Sequence, residues 1–213
     1  MRTMRAYVEV HTDETGGMSS RAWTFDLGFW GTARTAETAV GALAMLQRST
    51  GAPTIELEEQ VDDFDPSFAR DLEPATPGER ATTMEILERA RARTLELVEN
   101  AEWWQLSRPS NEVPDIDPLG YASAGDLVRA FADKESRVYL PALGFEPREP
   151  LPDLVDELEA SHEHVMRVVA SLPDVLISVT PDGGEWTSVK LLRMLAWHER
   201  AHLGLLEALM RIW

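Results

Sequence analysis

The stretch that decides the fold is 185–213, "EWTSVKLLRMLAWHERAHLGLLEALMRIW". Leu191, Leu195, His198, His202, Leu205 and Leu209 recur in it at three- and four-residue intervals, the spacing of one helical face. His198-Glu199-Arg200-Ala201-His202 also satisfies the pattern H-E-x-x-H letter for letter. Residues four apart lie one turn above each other, so both imidazoles face the same way and are able to ligate one metal ion. A zinc protease needs a third protein ligand downstream and an open cleft beside Glu199. Among residues 203–213 only Glu207 is a candidate, and five residues of helix turn it about 140° away from His202. A protease would therefore need a ligand from elsewhere in the chain. The other reading places the histidines inside a helical bundle, on a stripe shared with leucines, with Glu199 and Arg200 on the flank. A buried imidazole there requires a hydrogen-bond partner or a metal.

Three further segments carry the same periodicity. "ERATTMEILERARARTLELVENAEWW" repeats Thr83, Leu87, Ala90, Thr94, Leu97 and Ala101; "SAGDLVRAFADKESRVYLPALG" aligns Leu127, Phe131, Glu135, Val138 and Ala142. "LPDLVDELEASHEHVMRVVASLP" has Asp153 as its cap and a stripe at Leu154, Leu158, His162, Val165, Val169 and Leu172. Four amphipathic helices joined by Pro- and Gly-bearing connections predict an antiparallel four-helix bundle over 79–213. Residues 1–65 have a different texture. "MRAYVEVH" and "RAWTFDLGFW" read as strands around the turn "TDETGGMSS", "RTAETAVGALAMLQRSTG" as a helix capped by Thr35 and closed by Gly51, and "TIELEEQV" as a further strand. A Pro-rich, acidic linker at 66–78 separates this small α/β module from the bundle. The predicted fold class is α+β.

The chain of 213 residues carries 37 acidic and 20 basic side chains, a formal charge of -17, which argues against nucleic acid and anionic membrane surfaces as partners. It has no cysteine, which excludes disulfides, zinc-thiolate sites and a cysteine nucleophile. "MRTMRAYVEV" lacks the apolar run of a signal peptide, and no apolar stretch approaches the ~20 residues of a membrane span, so the expected location is cytoplasmic.

The stretch "EWTSVKLLRMLAWHERAHLGLLEAL" resembles the last helix of the DinB-like superfamily, through Trp186-Thr187 at the helix start followed by His198 and His202. These are four-helix bundles that include thiol-dependent transferases and isomerases. The resemblance implies a divalent metal (zinc, nickel or manganese) held by three histidines, the third from the second helix. There the chain departs from the pattern, with Ala130 where the family often has histidine. Glu135 and His162, both on apolar stripes, are the substitute ligands available beside His198 and His202; His164 points the other way from His162. The resemblance further implies a small-molecule substrate and, since the chain has no cysteine, a low-molecular-weight thiol. A bundle that has lost the site and serves binding or oligomerisation is the alternative. The first sixty residues are similar to the HicB-like fold, on "LGFWGTARTAETAVGAL" leading from strands into a helix, which implies a module for self-association in a homodimer.

Overall fold

Along the first strand Met4, Ala6 and Val8 alternate with Tyr7 and Glu9, so its two faces take different partners. The computed structural model, which describes residues 3–12, 17–62, 67–109, 121–181 and 183–210, shows that both faces are covered. β1 (Met4–Thr12), β2 (Met18–Trp23) and β3 (Ala33–Ala36) form an antiparallel meander. Helix α1 (Ala39–Thr50) then crosses over to β4 (Ile55–Asp62), which pairs parallel to β1, giving the sheet order β3-β2-β1-β4. Ala42 and Leu46 of α1 pack with Met4, Ala6, Val8 and Ala22 on one face. Tyr7, Trp23, Ala33 and Phe68 cluster on the other. The cap of α1 is Thr38, whose hydroxyl accepts from the Gly41 amide, rather than the expected Thr35. Thr35 is instead drawn into the sheet, opposite Arg21. Gly51 ends the helix in the left-handed conformation, as its position predicts. Residues 13–16 of the turn, and residues 63–66 where the module meets the linker, lie outside the described residues.

The helical part comprises α2 (Pro77–Glu99), the short α3 (Trp103–Ser107), α4 (Ala124–Lys134), the three-residue α5 (Leu140–Ala142), α6 (Leu154–Ser171) and α7 (Ser188–Met210). A two-stranded hairpin, β5 (Ile177–Val179) and β6 (Glu185–Thr187), precedes α7. Trp186 and Thr187 thus end a strand, and Thr187 begins the helix by accepting the Lys190 amide on its hydroxyl. Asp153 caps α6, accepting from the Val155 and Asp156 amides.

By contact the chain divides into two compact units, Met1–Thr83 with Pro173–Trp197, and Met84–Leu172 with His198–Trp213. The segmentation 1–65, 66–78 and 79–213 follows the change from strands to helices, whereas these units divide α2 and α7 along their length. In the first unit Gly31 lies against α7. Gly31 has φ +71°, and a Cβ there would stand 2.6 Å from that of Ala196. Trp30 donates its indole N–H to Thr83 at 2.8 Å. The second unit has a core of Val98, Leu127, Val128, Leu158, Leu206 and Leu209.

Between α4 and α5 the helix widens into a π turn, Glu135–Tyr139. Pro141 has no N–H to give to the carbonyl four residues earlier, and the Leu140 amide bonds to Glu135 O, five residues back. The extra residue in the turn brings Glu135, Ser136 and Tyr139 inward together. It also moves the buried face from Val138, which is exposed, to Tyr139. A uniform period of 3.6 does not anticipate that shift.

Candidate functional site

Helix α7 carries His198, Glu199 and His202 into the interior of the second unit, and all three are buried. The two imidazole rings lie 4.0 Å apart between centroids, as the four-residue spacing requires. His202 Nδ1 is 2.9 Å from the carbonyl oxygen of His198. A carbonyl only accepts, so Nδ1 carries the hydrogen, and Nε2 accepts from the Tyr121 hydroxyl at 3.2 Å. His198 Nδ1 is 3.1 Å from Glu135 Oε1. One proton serves that contact, on the ring when Glu135 is ionised and on the carboxyl when it is not.

Arg91, on α2, lies at the centre of this arrangement with its side chain fully buried. Its Nε and Nη2 both donate to Glu199 Oε1, at 3.0 and 2.6 Å, and Nη2 also donates to Glu135 Oε2 at 2.8 Å. Nη1 donates to the Leu158 carbonyl at 2.7 Å. Glu199 Oε2 is buried without a hydrogen-bond partner among the described residues. Glu199 was expected on the flank of the stripe; the structure buries it because Arg91, four residues after Leu87 on the apolar face of α2, reaches across to hold it.

Burial sets the charge states here. It pushes the His198 imidazole down to about 3, with the Arg91 charge adding to the effect, and the His202 imidazole down to about 3 as well. Both rings are neutral at pH 7. Burial raises Glu135 to about 7 and Glu199 to about 8, in each case against the pull of Arg91. His162 is half-buried with Nδ1 unpartnered among the described residues, and burial together with the Arg91 charge lowers it to about 4. His164 Nε2 is likewise buried without a hydrogen-bond partner among the described residues. His11 is half-buried near the end of β1.

The structure therefore brings His198, His202 and Glu135 together, with Glu135 set behind His198 at its Nδ1. A carboxylate there orients a metal-ligating imidazole rather than ligating itself. From α4 the residue facing the pair is Phe131, whose ring centroid is 5.3 Å from that of His198 and 4.7 Å from that of His202. Ala130, the position singled out in the sequence, instead lines an outward cleft of about 320 Å³ with Arg129, Asp133, Arg137 and Glu157. Among the described residues no group of three or more His, Asp and Glu side chains is arranged to hold a metal ion. The donor set explains this: two imidazoles converge, Phe131 faces them, and both carboxylates are engaged by Arg91. The residues present do not fit the three-ligand centre that the resemblance implies.

Sequence reasoning missed Arg91. The available signal was its place in the stripe Leu87-Ala90-Arg91-Thr94-Val98, where an arginine demands a buried anion.

No family model matches the chain, and no curated protein does. A solved structure does match: YfiT from Bacillus subtilis, described as a probable metal-dependent hydrolase with an unusual four-helix bundle topology. The likeness has a TM-score of 0.52 at 18% identity and covers 71% of this chain and 94% of YfiT. The chain shares the four-helix-bundle fold of YfiT. That likeness bears out the predicted α+β class with a helical bundle, and at this identity it concerns the fold. No helix among the described residues is long and apolar enough to cross a membrane.

Proposed function

We propose that this protein is a DinB-like bundle that has lost the complete metal centre and serves binding or oligomerisation, with the HicB-like N-terminal module as the self-associating part of a homodimer. The observation that carries this reading is Phe131, which presents an aromatic ring to both histidines from α4, where a third ligand would have to stand. An apolar ring completes a packed core at that point and leaves the metal coordination short.

A second reading keeps a divalent-metal-dependent enzyme: a thiol-using transferase or isomerase, or a hydrolase of the kind YfiT is described as being. It is favoured by the histidine pair itself, two neutral imidazoles one turn apart with both Nδ1 atoms engaged, so that Nε2 would be the ligating nitrogen of each, that of His202 giving up its hydrogen bond from Tyr121. In that case the metal would polarise a bound thiol or substrate oxygen of a small molecule.

One experiment separates the two readings. Untagged protein is incubated with zinc, nickel or manganese, dialysed and analysed by mass spectrometry beside a His198→Ala/His202→Ala variant. Metal well below stoichiometric in both supports the binding reading. About one ion per chain in the parent, lost in the variant, establishes the enzyme reading. Sedimentation equilibrium tests the homodimer, and a monomer at all concentrations would remove it.

A further inference from the structure

Arg5 and Tyr7 share the face of β1 on which Tyr7 packs with Trp23, Ala33 and Phe68. Trp23 is the strand partner of Tyr7, and beyond it the chain continues through Thr24, Phe25 and Asp26. Arg70 enters from the 3-10 turn Ala69–Leu72. Arg5, Tyr7, Thr24, Phe25, Asp26 and Arg70 line a cavity of about 250 Å³ that lies wholly within the first unit. We propose that this cavity binds a small aromatic carboxylate, with the ring against Phe25 and Tyr7 and the carboxylate on Arg5 and Arg70.

The walls supply both halves of that chemistry. Phe25 and Tyr7 pair edge to face, with centroids 4.6 Å apart, and offer an apolar surface to a flat ring. Arg70 has donor capacity left: Nη2 engages Glu79, Nε lies 3.7 Å from Glu73, and the buried Nη1 has no hydrogen-bond partner among the described residues. A buried N–H without an acceptor is costly, and a carboxylate is the acceptor whose shape a guanidinium fits. Arg5 is exposed, and its ion pair with exposed Glu58, at 3.8 Å, is a weak one, so its guanidinium is able to turn onto the same carboxylate. Asp26, the carboxylate lining this side, accepts the Gly28 amide on Oδ1 at 3.0 Å, and two guanidinia oppose it. An adjoining cavity of about 410 Å³ shares Arg5, Tyr7 and Arg70 but adds Glu58, Glu59 and Glu73. Three carboxylates there repel an anion and keep it on the Phe25 side. The smaller volume lies below the roughly 300–1,000 Å³ of drug-sized pockets, which limits the ligand to about one ring.

The test titrates benzoate and phenylacetate into the full chain by isothermal titration calorimetry. Benzamide, which keeps the ring without the charge, and acetate, which keeps the charge without the ring, are titrated beside them. At least one aromatic carboxylate should bind, at about one site per chain, and benzamide and acetate should bind at least about tenfold more weakly. Arg5→Ala should weaken the aromatic carboxylate about tenfold and Phe25→Leu about fivefold. Arg70→Met should abolish binding; because it also strands the buried Glu79 carboxylate, its fold is checked by circular dichroism, and if it does not fold Arg5→Ala and Phe25→Leu decide. No binding of either aromatic carboxylate overturns the inference. So does benzamide or acetate binding as tightly, or an affinity that Arg5→Ala or Phe25→Leu leaves unchanged. The site belongs to the first unit, so the metal measurement on the histidine pair neither supports nor removes it.

Discussion

Each compact unit contains a fully buried arginine between two acidic side chains, and the two clusters are finished differently. In the first unit Arg193 grips Asp71 with both arms, Nε to Oδ1 and Nη2 to Oδ2, each at 2.8 Å. Asp71 Oδ2 also accepts from the Phe68 amide. Glu9 lies 3.4 Å from Nη2 with one oxygen and accepts the Trp23 indole N–H at 2.8 Å with the other. The guanidinium lies over the rings of Trp23 and Phe68, at 4.5 and 5.1 Å. Every carboxylate oxygen there has a donor, which describes a structural lock. In the second unit Arg91 doubles up on one oxygen of Glu199, the other has no partner among the described residues, and two neutral imidazoles adjoin the cluster. A buried arginine alone therefore does not distinguish structure from site. The hydrogen-bonding inventory around it does.

The widest break in the comparison should come from removing each cation. Arg193→Met and Arg91→Met should each cost about 3–5 kcal/mol, because each strands buried carboxylates. Thermal melts read both losses; a loss below about 1 kcal/mol for either variant would show that its carboxylates do not need the guanidinium. Next, Trp23→Phe takes the indole donor from Glu9 and should cost about 1.5–3 kcal/mol in urea denaturation, whereas a neutral result would show that the lock does not need complete satisfaction.

A third probe is pH. Glu199 has a folded-state pKa of about 8 against its ordinary 4.5, so the folded chain keeps a proton that the unfolded chain releases. That contribution is fully present below about 4.5 and is lost as pH rises through about 8. The imidazoles of His198 and His202, lowered to about 3, act in the opposite sense and only as pH falls below about 6.5. Between pH 6.5 and 8 the parent should lose on the order of 1–2 kcal/mol that Glu199→Gln retains. Parallel curves for the two proteins would remove the buried, proton-bearing Glu199 from the comparison. The smallest effect is expected for Tyr121→Phe, which deletes the hydroxyl donated to His202 Nε2 and should cost about 0.5–1.5 kcal/mol.

Much of this was legible in the chain. The spacing of Leu191, Leu195, His198 and His202 placed the histidines inward, the Asp153 cap and the Gly51 stop were where the residue types put them, and "TIELEEQV" became β4. Glu135, which its spacing places on an apolar stripe, is buried against Arg91 and His198. Other features were hidden for identifiable reasons. Thr35 and Thr38 are equally good caps by type, and only the pairing of β3 with β2 chose between them. The face of α4 after Glu135 slipped by one residue because Pro141 forced a π turn.

What the sequence determined by itself was local and periodic: helical stripes, strand alternation, caps, and a histidine pair whose mutual geometry follows from the pitch of one helix. The partner of that pair was decided only in the tertiary structure. Arg91 and Glu199 are 108 residues apart, and Arg91 and Glu135 are 44 apart. Their meeting depends on α2, α4 and α7 packing in one unit, because a buried ion cluster is stable only where all its members are brought out of water together.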